Sequence, residues 1–261
     1  MNEDSNPYLP PKSNVQLVDT SLTHELLSSP NKVTVGAGFK WLAQSWSLVI
    51  KDLGIWVLIA LMVFVLNIIF SLIPLVGSLL SSVLSPVFMG GLCIGIRAAD
   101  QGKPMQFESL FAGFKTKLGP LASLGAVNLL ATIVLVVVFL LLVGIITMVF
   151  SGRADQAASH QSLYVVVLVA LSLVGFTIFF ILNFMVLLAT PLVALHELSA
   201  FDALKLSGKA CLVNFLSLFV FSIFALLLII LGMLPFMLGL LIVVPMLYVS
   251  FYRAYQGIFL K

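Results

Sequence analysis

Hydrophobic positions in this chain neither alternate nor recur on a single helical face; they run together. Uncharged apolar stretches cover Leu53–Ile73, Val76–Ile96, Leu118–Ser151, Ser162–Leu195, Leu212–Leu234 and Phe236–Tyr252. Runs of about 18 or more such residues predict membrane spans, because about 20 helical residues at about 1.5 Å each cross a hydrocarbon core of about 30 Å. The third and fourth runs exceed that length, which predicts tilt or continuation past the bilayer. Pro74 with Gly77 interrupts the first pair of runs, and Pro235 with Gly239 the last. A single helix through either break would overshoot the membrane about twofold, so each pair reads as a hairpin. The predicted fold is an all-α membrane protein with six transmembrane helices arranged as three hairpins.

A shorter segment with a different pattern precedes each hairpin. Phe39, Leu42, Trp46, Val49 and Leu53 recur at helical spacing opposite Lys40, Gln44, Ser47 and Lys51, with Trp41 off the apolar face. Phe107, Leu110, Phe111 and Phe114 form a second face; Phe201, Leu204, Gly208 and Cys211, opposite Asp202, Lys205 and Lys209, form a third. Ser199 and Asp202 have capping-box spacing. These segments predict amphipathic helices lying in the cytoplasmic interface; the plainer alternative makes them cytoplasmic extensions of the spans. Phe107-Glu108-Ser109-Leu110 with Lys115 parallels Phe201-Asp202-Ala203-Leu204 with Lys209. Pro86, Pro191 and Pro245 each fall within the second helix of a hairpin, where proline bends a helix. The Arg97–Gly102 and Arg253–Gly257 runs are also alike. Together these features predict three like-oriented repeats, 33–102, 103–198 and 199–261, forming a six-helix domain over 33–261. Residues 1–32, polar and rich in proline, read as a disordered or loosely attached cytoplasmic tail.

Charge sets direction. Lys12, Lys32, Lys40, Lys51, Arg97, Lys103, Lys115, Lys117, Lys205, Lys209, Arg253 and Lys261 precede, join or follow the hairpins on one side, leaving only Arg153 of the 13 basic residues on the other. Basic residues stay cytoplasmic, so both termini are expected inside. Composition agrees: 61% of the 261 residues are hydrophobic and 9% charged, against about 25% charged in soluble domains. A net charge of +3 without a basic cluster excludes nucleic acid as the expected partner. The first 50 residues lack a signal-peptide pattern, so no cleavage is expected. Cys93 and Cys211 have no paired spacing and read as small apolar fillers.

Candidate chemistry is sparse. No ionisable side chain lies mid-span, where a charge costs at least about 2.5–3.5 kcal/mol and usually marks function. Asn67, Asn128 and Asn183 are the central amides, able to bond across the bundle or line a polar path. His196-Glu197 resembles a metal-ligand pair, but Ala200 breaks the HExxH spacing, and His24 and His160 fall on opposite sides of the membrane. No nucleophile elbow, P-loop or dinucleotide fingerprint is present. No catalytic residue, metal or cofactor is expected. Arg97 and Arg253, at inner span ends, are candidate contacts for lipid headgroups, or positive-inside anchors.

The Asn6-Pro7-Tyr8-x-Pro10-Pro11 start, the Gly36-Ala37-Gly38-Phe39-Lys40-Trp41-Leu42 segment, the Ile73-Pro74-Leu75-Val76-Gly77 turn, the Phe107–Phe114 stretch and the run from Pro245 through Tyr252-Arg253-Ala254-Tyr255 together resemble a family of uncharacterised six-span bacterial inner-membrane proteins, broadly YciC-like. The resemblance covers nearly the whole chain. It implies a Gram-negative inner-membrane location and carries over no catalytic residue. The leading expectation is a non-enzymatic membrane organiser or regulator that binds membrane lipids, another membrane protein or itself. The alternative is a transporter or channel subunit for an apolar or amphipathic solute, which a hollow centre would favour and a packed one would not.

Overall fold

A computed structural model describes residues 26–151, 157–196 and 198–261. Among them the chain is helical, and its single β-type contact is an isolated antiparallel bridge between Leu26 and Leu260. The helices are α1 (Ala37–Val49), α2 (Leu53–Ser71), α3 (Val76–Asp100), α4 (Ala112–Thr116, after a 3-10 turn over Phe107–Phe111), α5 (Leu118–Ser151), α6 (Ala157–Leu195), α7 (Ala200–Val213), α8 (Phe215–Met233) and α9 (Leu240–Phe259). Five stretches of the described residues are long and apolar enough to cross a membrane: Ala37–Ser71, Val76–Asp100, Leu118–Phe150, Ser162–Leu195 and Phe215–Met233. The sixth expected run is helical in α9, but Arg253 and Gln256 lie within that helix and dilute its apolar character.

The element order is the same three times over: a short helix, a long apolar helix, and a helix with an internal proline. Pro86, Pro191 and Pro245 are all buried, inside α3, α6 and α9. These three helices pack pairwise at the centre. α2 sits between α3 and α9, α5 between α3 and α6, and α8 against α9. Phe180 of α6 closes the remaining side on the rings of Phe215 and Phe219.

The short helices seat in a cyclic pattern. α1 packs on α9 and α8, the 107–116 segment on α3 and α2, and α7 on α6 and α5. Close approach in the second case depends on glycine. A Cβ at Gly91 would lie 2.6 Å from the Ser109 carbonyl oxygen, and one at Gly113 would strike the Val87 carbonyl. Phe88 then packs edge-on against Phe114 and Phe111, with centroids 5.1 and 6.0 Å apart. α7 starts as its sequence predicts: Ser199 Oγ accepts from the Asp202 amide at 3.2 Å and donates to Asp202 Oδ2 at 2.6 Å.

The buried faces of α1 and α7 share only part of the expected apolar faces: Leu42 and Val49 in α1, Cys211 in α7. Trp41, expected off the apolar face, is only 5% exposed and packs with Ala37, Leu42, Ser45, Leu48 and Val49, whereas Phe39 is 61% exposed. In α7 the buried set is Ala203, Ser207, Ala210 and Cys211, while Phe201 is exposed. Each helix therefore divides into three sectors rather than two: one against the bundle, one apolar but exposed, and one carrying the lysines. The bundle sector favours small or flat side chains because helices approach closely there.

The last part of the expected loose tail is attached. The Leu27 and Asn31 amides donate to the Phe259 and Ile258 carbonyls at 2.9 and 2.8 Å. Buried Asn214, between α7 and α8, accepts from the Val33 amide at 2.8 Å and donates to the Asn31 carbonyl at 2.9 Å. The Gly113→Val variant, which places side-chain atoms against backbone, is expected to cost about 1–3 kcal/mol. Gly119→Ala, which meets open space, should leave the unfolding midpoint in detergent unchanged or slightly raised. Thermal unfolding of the two purified variants checks the contrast.

Candidate anion-binding cavity at the charged end

Where α3, α6 and α9 end, they enclose with α1 an open cavity of about 1070 Å³. Among the described residues its wall carries Lys40, Arg97, Arg253 and Lys261 against a single acidic side chain, Asp100, together with Gln44, Gln101, His196, Tyr255 and Gln256. Apolar side chains, among them Trp41 and Leu195, complete it. It is thus a basic, amide-rich pocket set at the end of an apolar bundle.

The two candidate arginines meet here with different duties. Arg253 is committed: Nη2 donates to Asp100 Oδ1 at 2.6 Å, and Nη1 to Asp100 Oδ2 at 2.8 Å and to Gln256 Oε1 at 2.7 Å. Gln256 Nε2 closes the ring on Asp100 Oδ2 at 3.1 Å. Such a two-pronged pairing is among the stronger charged hydrogen bonds, and it welds the end of α9 to the end of α3. Arg97 is more lightly held, with Nη1 3.4 Å from the Leu195 carbonyl oxygen. Arg97 and the exposed Lys40 are therefore the side chains with donors to offer a bound anion.

His196 stands at the end of α6, its Nε2 2.5 Å from the Tyr255 hydroxyl. Burial, and then the Arg97 charge, hold its pKa below the ordinary 6.5, so the ring is neutral at pH 7. A neutral ring shares one proton with the tyrosine and joins α6 to α9 without adding charge beside Arg97. His196 thus serves as a polar joint in this pocket, while Glu197 and His24 lie outside the described residues. Among the described residues no three His, Cys, Asp or Glu side chains gather as metal ligands.

The amides sit elsewhere. Asn67 and Asn183 donate to the carbonyls of Val63 and Phe179 on their own helices, each at 2.8 Å. Asn128 is half-buried on α5. Asn67 also lines a second cavity of about 240 Å³ with Ser81, Ser85 and Tyr248. The two cavities share no lining residue. Between the two linings Cys93 and Ile96 of α3, Leu188 and Leu192 of α6, and Val249 of α9 are all buried. The centre is packed, with a hollow at each side of the packed layer.

Sequence reasoning missed Asp100, Tyr255 and Asn214. Asp100 and Gln256 stand in the two similar helix-end runs, a signal that those ends meet; nothing local to Asn214 or Tyr255 marks their partners.

Replacing Asp100 with Asn leaves a part-buried guanidinium without its counter-charge and is expected to cost about 1–3 kcal/mol. The double variant Asp100→Asn/Arg253→Gln should recover part of that loss in a thermal-unfolding cycle. For His196 the folded pKa lies below the unfolded one, so the unfolded chain binds more protons as pH falls through 6.5. Its contribution is present above that pH and lost below it. The unfolding midpoint should drop from pH 7 to pH 5, and drop less in His196→Gln. No protein-family model, no curated protein and no solved structure matches this chain.

Proposed function

We propose that this is a multi-pass inner-membrane protein of the YciC-like kind. Its apolar helices form three hairpins, each introduced by an amphipathic helix at the inner surface, and both termini are cytoplasmic. In this reading the protein is not an enzyme. It holds an anionic lipid headgroup in the charged-end cavity and so organises or regulates its membrane surroundings, alone or with a membrane partner. The observation that carries it is the wall of that cavity. Lys40 and Arg97 offer donors beside apolar side chains, where phosphate and acyl chain meet, while Arg253 is already paired with Asp100. The three-sector division of α1 and α7 supports the surface placement: one sector faces the bundle, one suits lipid, and the lysines suit water. The buried layer of Cys93, Leu192 and Val249 disfavours an open solute path, so the transport reading ranks second.

A basic side chain near a membrane surface attracts anionic lipid by about 1 kcal/mol, or about fivefold in affinity. Native mass spectrometry of the detergent-purified protein should show phosphatidylglycerol retained over phosphatidylethanolamine. Lys40→Gln and Arg97→Gln should each weaken retention by about that factor, and raised salt should weaken it further. Equal retention of the two lipids, or indifference to both substitutions, overturns the headgroup reading.

A further inference from the structure

The turns that join α2 to α3 and α8 to α9 are unlike the ends of ordinary membrane hairpins. Leu72-Ile73-Pro74-Leu75-Val76 and Leu234-Pro235-Phe236-Met237-Leu238 contain no polar side chain. Leu75 is 80% exposed and Phe236 95%. Most backbone donors there are satisfied locally. The amides of Leu72, Ile73, Val76 and Gly77 donate to carbonyls of the first turn or of the helix end before it, leaving the Leu75 amide without such a partner, and those of Leu234, Phe236, Met237 and Leu238 all find carbonyls at the second. Pro74 and Pro235 have no amide hydrogen to place. Internal satisfaction of backbone donors is the condition for residing in hydrocarbon, and a water-facing loop has no need of it.

The α5–α6 hairpin differs in length and in its end. Gly125 of α5 lies against Val83, and Gly90 of α3 against Leu121. This antiparallel register puts the start of α3 beside roughly position 132 of α5, so the rest of α5 climbs about 25 Å beyond the α2–α3 turn. α6 keeps pace, with Gly175 against Phe139 and Tyr164 against Phe150. The overhanging part is apolar and largely exposed. Only the connection beyond it and the first turn or so of α6 are polar in sequence, with Arg153, Asp155, Gln156, His160 and Gln161.

These lengths cannot all be met by an upright molecule. With the charged end at the inner surface, a hydrocarbon core of about 30 Å ends near the two apolar turns and leaves about 25 Å of uncharged α5–α6 in water. Tilting draws that arm into the hydrocarbon, and it withdraws the two apolar turns from the outer surface at the same time. Tilt satisfies both features together.

We propose that only the α5–α6 hairpin crosses the bilayer completely, and that the α2–α3 and α8–α9 hairpins end inside the hydrocarbon, their turns covered by lipid acyl chains. This rests on the inner-membrane reading with both termini inside. The embedded part is then a wedge: three hairpins displace lipid in the inner leaflet and one does so in the outer. The partner this surface fits is a bilayer whose inner leaflet accommodates extra inserted area.

Single cysteines at Leu72→Cys, Phe236→Cys and Ser162→Cys, in a Cys93→Ala/Cys211→Ala chain, test it in intact cells with a membrane-impermeant maleimide. The expected result is labelling at position 162 from outside and loss of labelling at 72 and 236 until detergent is added. Nitroxides at 72 and 236 in vesicles of phosphatidylethanolamine and phosphatidylglycerol should then be reached by oxygen and not by a water-soluble nickel chelate. Labelling at 72 or 236 equal to that at 162, or nitroxides closed to both relaxants, overturns the inference and leaves the inner-membrane reading intact. Failure of position 162 itself to label from outside overturns both.

Discussion

The seam where α3, α6 and α9 meet carries the rest of the molecule. In hydrocarbon there is no hydrophobic gain from bringing two apolar helices together, so association depends on close fit and on polar groups that find partners. Fit is achieved by burying Pro86, Pro191 and Pro245 with small neighbours such as Gly90, Gly91, Cys93, Ala189 and Ala194. Polar closure of this seam comes at the charged end, through the Arg253–Asp100–Gln256 ring and the His196–Tyr255 pair. α3 is thereby tied to α9, and α9 to α6. The short helices then seat on surfaces this seam has fixed.

The same seam explains where a ligand can enter. Three helices converging through a packed layer of Cys93, Leu192 and Val249 diverge again below it, and α1 closes the gap incompletely. The cavity is therefore a product of helix ends, where backbone carbonyls and long polar side chains gather. Charge within it is uneven for a physical reason. Joining α3 to α9 needs one ion pair, and Asp100 is consumed by Arg253 in making it. Lys40 and Arg97 make no ion pair among the described residues, leaving a positive remainder close to apolar surface.

Much of this was legible in the sequence because hydropathy measures one property, the preference for hydrocarbon, which sets helix extent. The run Leu118–Ser151 is helix α5 residue for residue, and Val76 is the start of α3. The capping of α7 by Ser199 was legible because both partners lie within one turn. The rotation of α1 was not. Hydropathy ranks Phe39 and Trp46 alongside Trp41 as apolar, but only packing against Phe221 and Gly257 decides that Trp41 faces inward. The Asn214 clasp on the 31–33 segment was hidden for a similar reason, since its partners are separated by 181 residues or more. Arg97 and Arg253 looked equivalent by position and are not, because one of them met Asp100.

A conflict in lengths shows what hydropathy counting leaves out. Six runs each long enough to cross the bilayer read as six equal crossings only if every run ends at a surface. The chain marks its surfaces with charge and polar turns, and it does so at the charged end of every helix pair but at the opposite end of only one. Apolar content alone sees no difference between Phe236 and Met148. Backbone bonding does see one at Phe236, because a turn whose amides are already paired and whose proline has none to offer has no debt to water. The outer boundary of this protein is therefore better read from where backbone donors need water than from where apolar residues stop.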